Sequence, residues 1–554
     1  MRQKTSDSWL FAVYTTLVVI YGFIGTSEKR IAFVIVSESE VVVLEHFHEH
    51  IPRNEARPTG NWSSYLLLAV IGLIAVLPIW LPTYPAMCDA PQHASQVVLY
   101  SQFGHPDFAF NNLLYRHTRI PNLLCYVLLL LLKPLVGVVA ACKLVTSAAL
   151  FLFLLACGKL LQEFQSDPRL ALLVIPAFYG HAFEWGFIGF LATAPLGIAL
   201  VIFTLRYYRR PSLRRGVLLA LWFMVVFLCH AMTAASMAAL AAFCALANLS
   251  SWRQFAVRWL PLVTTAGMAG LWWLHSIKDN PLTHEANEWR LSWYRFPDLF
   301  TNITGWPVAA TAAPALLALL VPVALLSGLR RRARYLLPLL FCMLLALLGP
   351  HKLFGVASLY ERCALFVLPC CALALKPLKA GGRKRARLAV TWMVLFALAW
   401  TAQTAWRMQV FDRETRGFSV LLPQMEPGQR VLSLNFERRS EVFDAEVFLH
   451  IPAWYSALKN GMVDPSFACG NVDLVLYRPE AVPKVHIASF EFHPESFDWQ
   501  RHNAAIYRYF VVHSKQDEGE KLFAAAGGAV VLRARADDWW LYENTAPLSA
   551  VANP

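Results

Sequence analysis

An aspartate and a histidine, Asp89 and His93, close the stretch Thr83-Tyr-Pro-Ala-Met-Cys-Asp-Ala-Pro-Gln-His93, four residues apart. On a helix that spacing puts both side chains on one face. The stretch follows directly on an apolar run. A carboxylate at such a boundary is partly desolvated, which raises its pKa and suits it to take a proton from an incoming hydroxyl. Asp89 and His93 are therefore the candidate catalytic pair, and Asp89 is also a candidate metal ligand. Asp89 equally fits the N-cap of a short helix with Pro91 in its first turn, and sequence alone leaves both readings standing.

Other chemistry-bearing residues lie in short segments between apolar runs. They are Tyr179-Gly-His181-Ala-Phe-Glu184-Trp-Gly186, His230 at the end of an apolar helix, His351-Lys352, and Tyr360-Glu361-Arg362. Charges there are costly unless they line a wet cavity. An arginine at a helix start can hold a phosphate through its bidentate fork, with Lys352 adding a second positive charge. A salt bridge or a snorkelling side chain explains Arg362 as well. Arg362, Glu361, Lys352, His351, His181, Glu184 and His230 form the candidate substrate- and phosphate-binding set. Trp289, Trp293 and Tyr294 suit stacking on sugar faces, and equally an interfacial aromatic belt.

The elements that must position these residues are membrane helices. The chain has 554 residues, of which 57% are hydrophobic, in repeated runs near the length that crosses a ~30 Å hydrocarbon layer. The apolar pattern gives about eleven spans, near 64–82, 138–157, 168–180, 185–205, 216–230, 232–248, 259–275, 308–327, 336–349, 363–376 and 389–406. Basic runs at Arg206 to Arg215, Arg253 to Arg258, Arg330 to Arg334 and Lys376 to Arg387 account for much of the net charge of +13 and mark cytoplasmic loops rather than a nucleic-acid surface. With 121–132 read as a re-entrant helix, all four runs fall inside. The loops carrying the candidate residues, 83–120 first among them, then fall outside. Residues 9–25 form either a span or a non-crossing segment, and Glu45 to His50 (EHFHEH) has the composition of a metal-binding tract. Residues 1–63 are set apart as an N-terminal segment of doubtful structure.

After residue 407 the pattern changes to short alternating runs. Arg430 to Asn435, Tyr507 to Val512, Ala529 to Ala534 and Trp539 to Tyr542 read as strands and Ala453 to Lys459 as helix. The expectation is a polytopic α-helical membrane protein, with a transmembrane region over 64–407 and a soluble α/β domain over 408–554 on the outer side. Most of the eleven cysteines sit in apolar helices as small hydrophobes. Cys88 and Cys469 fall on the side where pairing is chemically open.

These residues resemble the GT-C class of integral membrane glycosyltransferases, specifically its bacterial members. The resemblance rests on Cys88-Asp89-Ala-Pro-Gln-His93 after the first main span, Glu184-Trp-Gly-Phe-Ile-Gly-Phe190 entering a span, His230, and Tyr360-Glu361-Arg362, over about residues 64–406. It implies transfer of a sugar from a polyprenyl-phosphate donor to a glycan or lipid acceptor on the outer face. It also implies a bacterial inner-membrane location, Asp89 as base or metal ligand, and Arg362 and Lys352 as phosphate holders. No Asp-X-Asp or Glu-X-Asp pair surrounds Asp89, so a divalent cation, Mg2+ or Mn2+, is an option rather than a requirement. Trp272-Trp273 is followed by Leu274, unlike the Trp-Trp-Asp motif of oligosaccharyltransferases. A lipid-linked polysaccharide polymerase or ligase, and a transporter with an outer binding domain, are the alternatives. Transport calls for ionisable groups near the bilayer midplane, where Lys143 is the main one.

Overall fold

Twelve α-helices of ten or more residues appear among the residues described in the computed structural model, which are 34–37, 40–43, 62–118, 120, 122–246, 251–277, 286–353, 355–378, 382–470, 473–485 and 490–547. The expected segment 9–25 and the tract Glu45 to His50 lie outside them. Met1–Pro58 and Thr59–Pro554 form separate compact units. Within the first, β1 (Val34–Ser37) pairs antiparallel with β2 (Glu40–Val43). The second, Thr59–Pro554, holds the helices and the larger sheet.

Its helices are α1 (Trp62–Ala75), α2 (Ala90–Gln102), α3 (Leu123–Val136), α4 (Val138–Glu163), α5 (Ile188–Arg209), α6 (Leu213–Cys229), α7 (Ala231–Leu246), α8 (Trp252–Ile277), α9 (Arg295–Thr304), α10 (Ala309–Ser327), α11 (Ala333–Leu348) and α12 (Arg383–Glu414). Five runs are long and apolar enough to cross a membrane: Trp62–Trp80, Val138–Glu163, Ile188–Arg209, Ala309–Ser327 and Arg383–Glu414. The chain is thus an integral membrane protein. Eleven full spans are not what the described residues form. Segment 168–180 becomes a 3-10 turn, Pro168–Val174, and one short helix, Ile175–Phe178. Segment 363–376 likewise becomes a turn, Cys363–Phe366, and the helix Val367–Leu373. Both are buried against neighbouring helices, so their apolar character serves protein packing rather than lipid contact.

The last long helix sets the architecture. At about 1.5 Å per residue its 32 residues extend about 48 Å, well beyond the ~30 Å a hydrocarbon layer needs. It begins Arg383-Lys-Arg, runs through an apolar middle, and ends in Arg407, Asp412, Arg413 and Glu414 inside the C-terminal region. That region is built on a five-stranded sheet with the order β5 (Met462–Asp464), β4 (Arg430–Asn435), β7 (Tyr509–His513), β9 (Trp539–Asn544), β8 (Val530–Ala536). The first three strands are parallel, and β9 and β8 add as antiparallel neighbours. Buried Tyr509, Val511, Trp539 and Leu541 belong to the same apolar core as the helices, while Leu432, Phe510, Val512 and Trp540 form a second core on the other face.

Loop 83–120 is sewn into this region. Its strand β3 (Leu114–Arg116) pairs antiparallel with β6 (Val475–Tyr477). Two glutamines of α2 replace apolar packing with hydrogen bonds: Gln92 donates to Pro465 O at 2.9 Å and accepts from Phe467 N–H at 3.2 Å, and Gln96 accepts from Val475 N–H at 2.9 Å. Lys143, in the first two turns of α4, donates its ammonium to the Pro82 carbonyl at the start of the loop, with the Trp80 ring nearby.

Candidate functional site

Asp89 occupies the N-cap position of α2 with Pro91 in the first turn, yet its side chain makes no cap hydrogen bond. The carboxylate turns to the C-terminal region, where Oδ1 lies 3.0 Å from His450 Nδ1. Its backbone is held from the other side. Cys88 N–H donates to Glu184 O at 2.8 Å and Asp89 N–H to Trp185 O at 3.0 Å. This tight pairing requires Gly186, whose φ is +80° and whose Cβ, if present, would stand 2.7 Å from Asp89 N. The Glu184-Trp-Gly turn thus serves to seat the acid.

His450 links three groups. Besides Asp89, its Nδ1 lies 3.7 Å from Cys88 Sγ, and its Nε2 lies 3.3 Å from Glu491 Oε2. Burial opposes charge on the ring, but Cys88, Asp89 and Glu491 around it raise its proton affinity well above that of an ordinary histidine. Cys88, Asp89 and His450 each offer a ligand atom, all within 4.8 Å of one another, and all three residues are buried. Neither Cys88 nor Cys469 is in a disulfide. His450 and Glu491 escaped the sequence reading because each is a single polar residue inside an apolar run, Phe448-Leu-His-Ile and Phe490-Glu-Phe. Such residues signal nothing until the fold brings them together.

His93 shares the α2 face with Asp89 but serves a second relay. Its Nδ1 lies 2.9 Å from Tyr126 Oη, which donates to Asp473 Oδ1 at 2.5 Å. With the phenolic proton committed to Asp473, the ring N–H belongs on Nδ1 and the lone pair on Nε2. Burial lowers the pKa of His93, keeping it neutral. Burial also pushes the Asp473 carboxyl up to about 7, against the Tyr126 hydrogen bond that favours its charge.

The basic set gathers beside the acid. Arg362 is buried, its Nε donating to Ser358 O at 2.9 Å and Nη2 to Ala357 O at 2.6 Å, with its guanidinium 3.8 Å from the centroid of Phe187. Asp89, His181 and His230 are all within its electrostatic reach. His351 Nδ1 meets Glu361 Oε1, while Glu361 Oε2 and His181 Nε2 are buried without a hydrogen-bond partner. Unsatisfied buried atoms of this kind are costly, and here two of them lie in one cluster. His230 accepts from Thr233 N–H at 3.3 Å on Nδ1. Lys352 pairs through its backbone with Glu288, outside this cluster.

Glu184 stands apart from this set. Its fully buried carboxylate forms an ion pair with Arg407, and its Oε2 accepts from the N–H groups of Asp444, at 3.0 Å, and Ala445, at 3.2 Å. Gly305, with φ +69°, leaves the room this requires, because a Cβ there would strike Glu184 Oε1. Arg407 was likewise not singled out in the sequence.

No family model matches the chain, and no curated protein sequence matches it. Solved structures do. The crystal structure of ArnT from Cupriavidus metallidurans bound to undecaprenyl phosphate superposes with a TM-score of 0.51 at 12% identity, covering 88% of this chain and 99% of ArnT. The cryo-EM structure of the mycobacterial arabinofuranosyltransferase AftD gives 0.45 at 13% identity, covering 87% of this chain and 42% of AftD. The chain therefore spans less than half of AftD, and a likeness at that score carries no weight. At 12% identity the ArnT likeness shows the fold, which is the GT-C plan that the sequence resemblance led one to expect.

Proposed function

We propose that this protein is a glycosyltransferase that moves a sugar from a polyprenyl-phosphate donor to a hydroxyl-bearing glycan or lipid acceptor on the outer face of a bacterial inner membrane. The observation that carries the reading is Asp89, a buried carboxylate free of capping, held by His450 and within electrostatic reach of Arg362. The fold adds support, since the neighbour that shares it was solved with undecaprenyl phosphate bound.

In this mechanism Asp89 takes the proton of the acceptor hydroxyl with the carboxylate oxygen that His450 does not hold. The acceptor oxygen bonds to the anomeric carbon as the bond from that carbon to the phosphate oxygen breaks. Negative charge returned to the lipid phosphate is met by Arg362 and Lys352. His93, neutral with a lone pair on Nε2, stands as a second proton acceptor on the same helix face. The C-terminal region, joined to loop 83–120 through β3 and β6, forms the acceptor side. The basic loops stay cytoplasmic, so the donor isoprenoid lies in the bilayer and its phosphate at the outer mouth.

Binding separates the two roles. Arg362→Ala is expected to weaken retention of labelled polyprenyl phosphate by the purified protein at least tenfold, while Asp89→Asn leaves it within twofold of wild type. Equal retention by all three proteins would contradict a phosphate site at Arg362.

A further inference from the structure

We infer that Cys88, Asp89 and His450 form a zinc site that fastens loop 83–120 to the C-terminal region. The reading of sugar transfer is not needed for it, because the site is defined by ligand geometry. In a tetrahedral zinc shell, with Zn–N and Zn–O near 2.0–2.1 Å and Zn–S near 2.3 Å, donor atoms stand about 3.3–3.6 Å apart. Here Nδ1 of His450 is 3.0 Å from Oδ1 of Asp89 and 3.7 Å from Sγ of Cys88, and all three donors fall within 4.8 Å of one another. The two separations from Nδ1 lie within a few tenths of an ångström of that shell, and three protein donors leave one position for a water oxygen.

The other nitrogen supplies a second, independent reason. A zinc-bound histidine usually donates its remaining ring N–H to a carboxylate, which fixes the tautomer and orients the ring. His450 Nε2 faces Glu491 Oε2 at 3.3 Å. Nδ1 then carries the proton that reaches Asp89 in the absence of an ion, and zinc would take that proton's place while Nε2–H stays on Glu491. A thiolate and a carboxylate also balance the two charges of the ion.

The donor set decides the metal. Mg2+ and Mn2+ prefer oxygen ligands, and a thiolate with an imidazole selects zinc instead. This replaces the Mg2+ or Mn2+ expected from Asp89 alone. The ligands come from segments 361 residues apart in sequence, so the ion closes the seam that the β3–β6 pairing and the Gln92 and Gln96 hydrogen bonds begin. It fixes one oxygen of Asp89 and leaves the other available.

The test uses the full chain in detergent, stripped with a chelator, then loaded with Co2+ as a spectroscopic stand-in and competed with Zn2+. The site predicts one ion per chain and a thiolate-to-cobalt charge-transfer band that Zn2+ abolishes and a hundredfold excess of Mg2+ does not. Cys88→Ser removes the band, Cys469→Ser keeps it, and Glu491→Gln retains it with affinity lowered about 10–100-fold, the usual effect of losing such a partner. Should Cys88→Ser fail to fold, the wild-type band and the Glu491→Gln and Cys469→Ser proteins still decide the matter. Absence of the band in folded wild type, or its persistence in Cys88→Ser, would overturn the site.

Discussion

At the scale of single residues, the informative contrast is between the two acids of the site region. From sequence Asp89 reads as a catalytic acid or a helix cap, and Glu184 as a ligand-binding group. Once folded, Asp89 spends its carboxylate on His450, and Glu184 is enclosed by Arg407 and two backbone N–H groups. Breaking a buried ion pair by removing one partner leaves an uncompensated charge, at a cost of about 3–5 kcal/mol. Arg407→Ala is therefore expected to lower the thermal unfolding midpoint by several degrees, and an unchanged midpoint would show that the pair is not structural. Asp473 makes a pH prediction. Its folded pKa, about 7, lies above the unfolded value near 3.9, so folding favours the proton. That contribution is complete below about pH 4 and is lost as pH rises through 7. Wild-type stability should decline across that window more steeply than that of Asp473→Asn, and parallel curves would rule the assignment out. Asp89, His93 and Arg362 stand out in the sequence because local spacing and context point to them. His450, Glu491 and Arg407 do not, since their meaning rests on partners 41 to 361 residues away.

At the scale of elements, hydropathy correctly finds apolar segments and cannot say what buries them. Helices α4, α5, α10 and α12, and α1 together with the 3-10 turn that extends it to Trp80, read as spans and are long enough to be so. Pro168–Phe178 and Cys363–Leu373 read as spans too, but they end early and pack inside protein, an outcome with the same apolar signature. The turn at Gly186 is the element-level device that matters most for the site. Its positive φ allows the backbone of Cys88 and Asp89 to pair with Glu184 and Trp185. In Gly186→Ala a Cβ would press on Asp89 N, so the variant should reach the membrane in near-normal amount but lose at least tenfold in transfer. Retention of full transfer would mean that the turn does not seat the acid.

At the scale of the whole molecule, helices and sheet region belong to one compact unit, Thr59–Pro554. The change in sequence pattern near residue 407 announced the sheet region. It gave no hint that α12 runs unbroken into that region or that loop 83–120 is hydrogen-bonded to it, because those contacts are long-range. The topology has a consequence of its own. On the proposed orientation, with the basic runs inside, a tag at the C-terminus should be digested by protease added to intact spheroplasts, whereas one inserted near Arg210 should survive until the membrane is opened. The reverse pattern would invert the molecule and remove the donor-binding scheme with it.

The most direct test is transfer itself, from a panel of radiolabelled polyprenyl-phosphate sugars, by membranes carrying equal amounts of wild type or Asp89→Asn. Loss of a general base lowers rates by about 10²–10⁴-fold, so wild type should transfer label from one donor and Asp89→Asn should fall by that factor. Transfer by Asp89→Asn at the wild-type rate would contradict the role assigned to Asp89 and the account built on it.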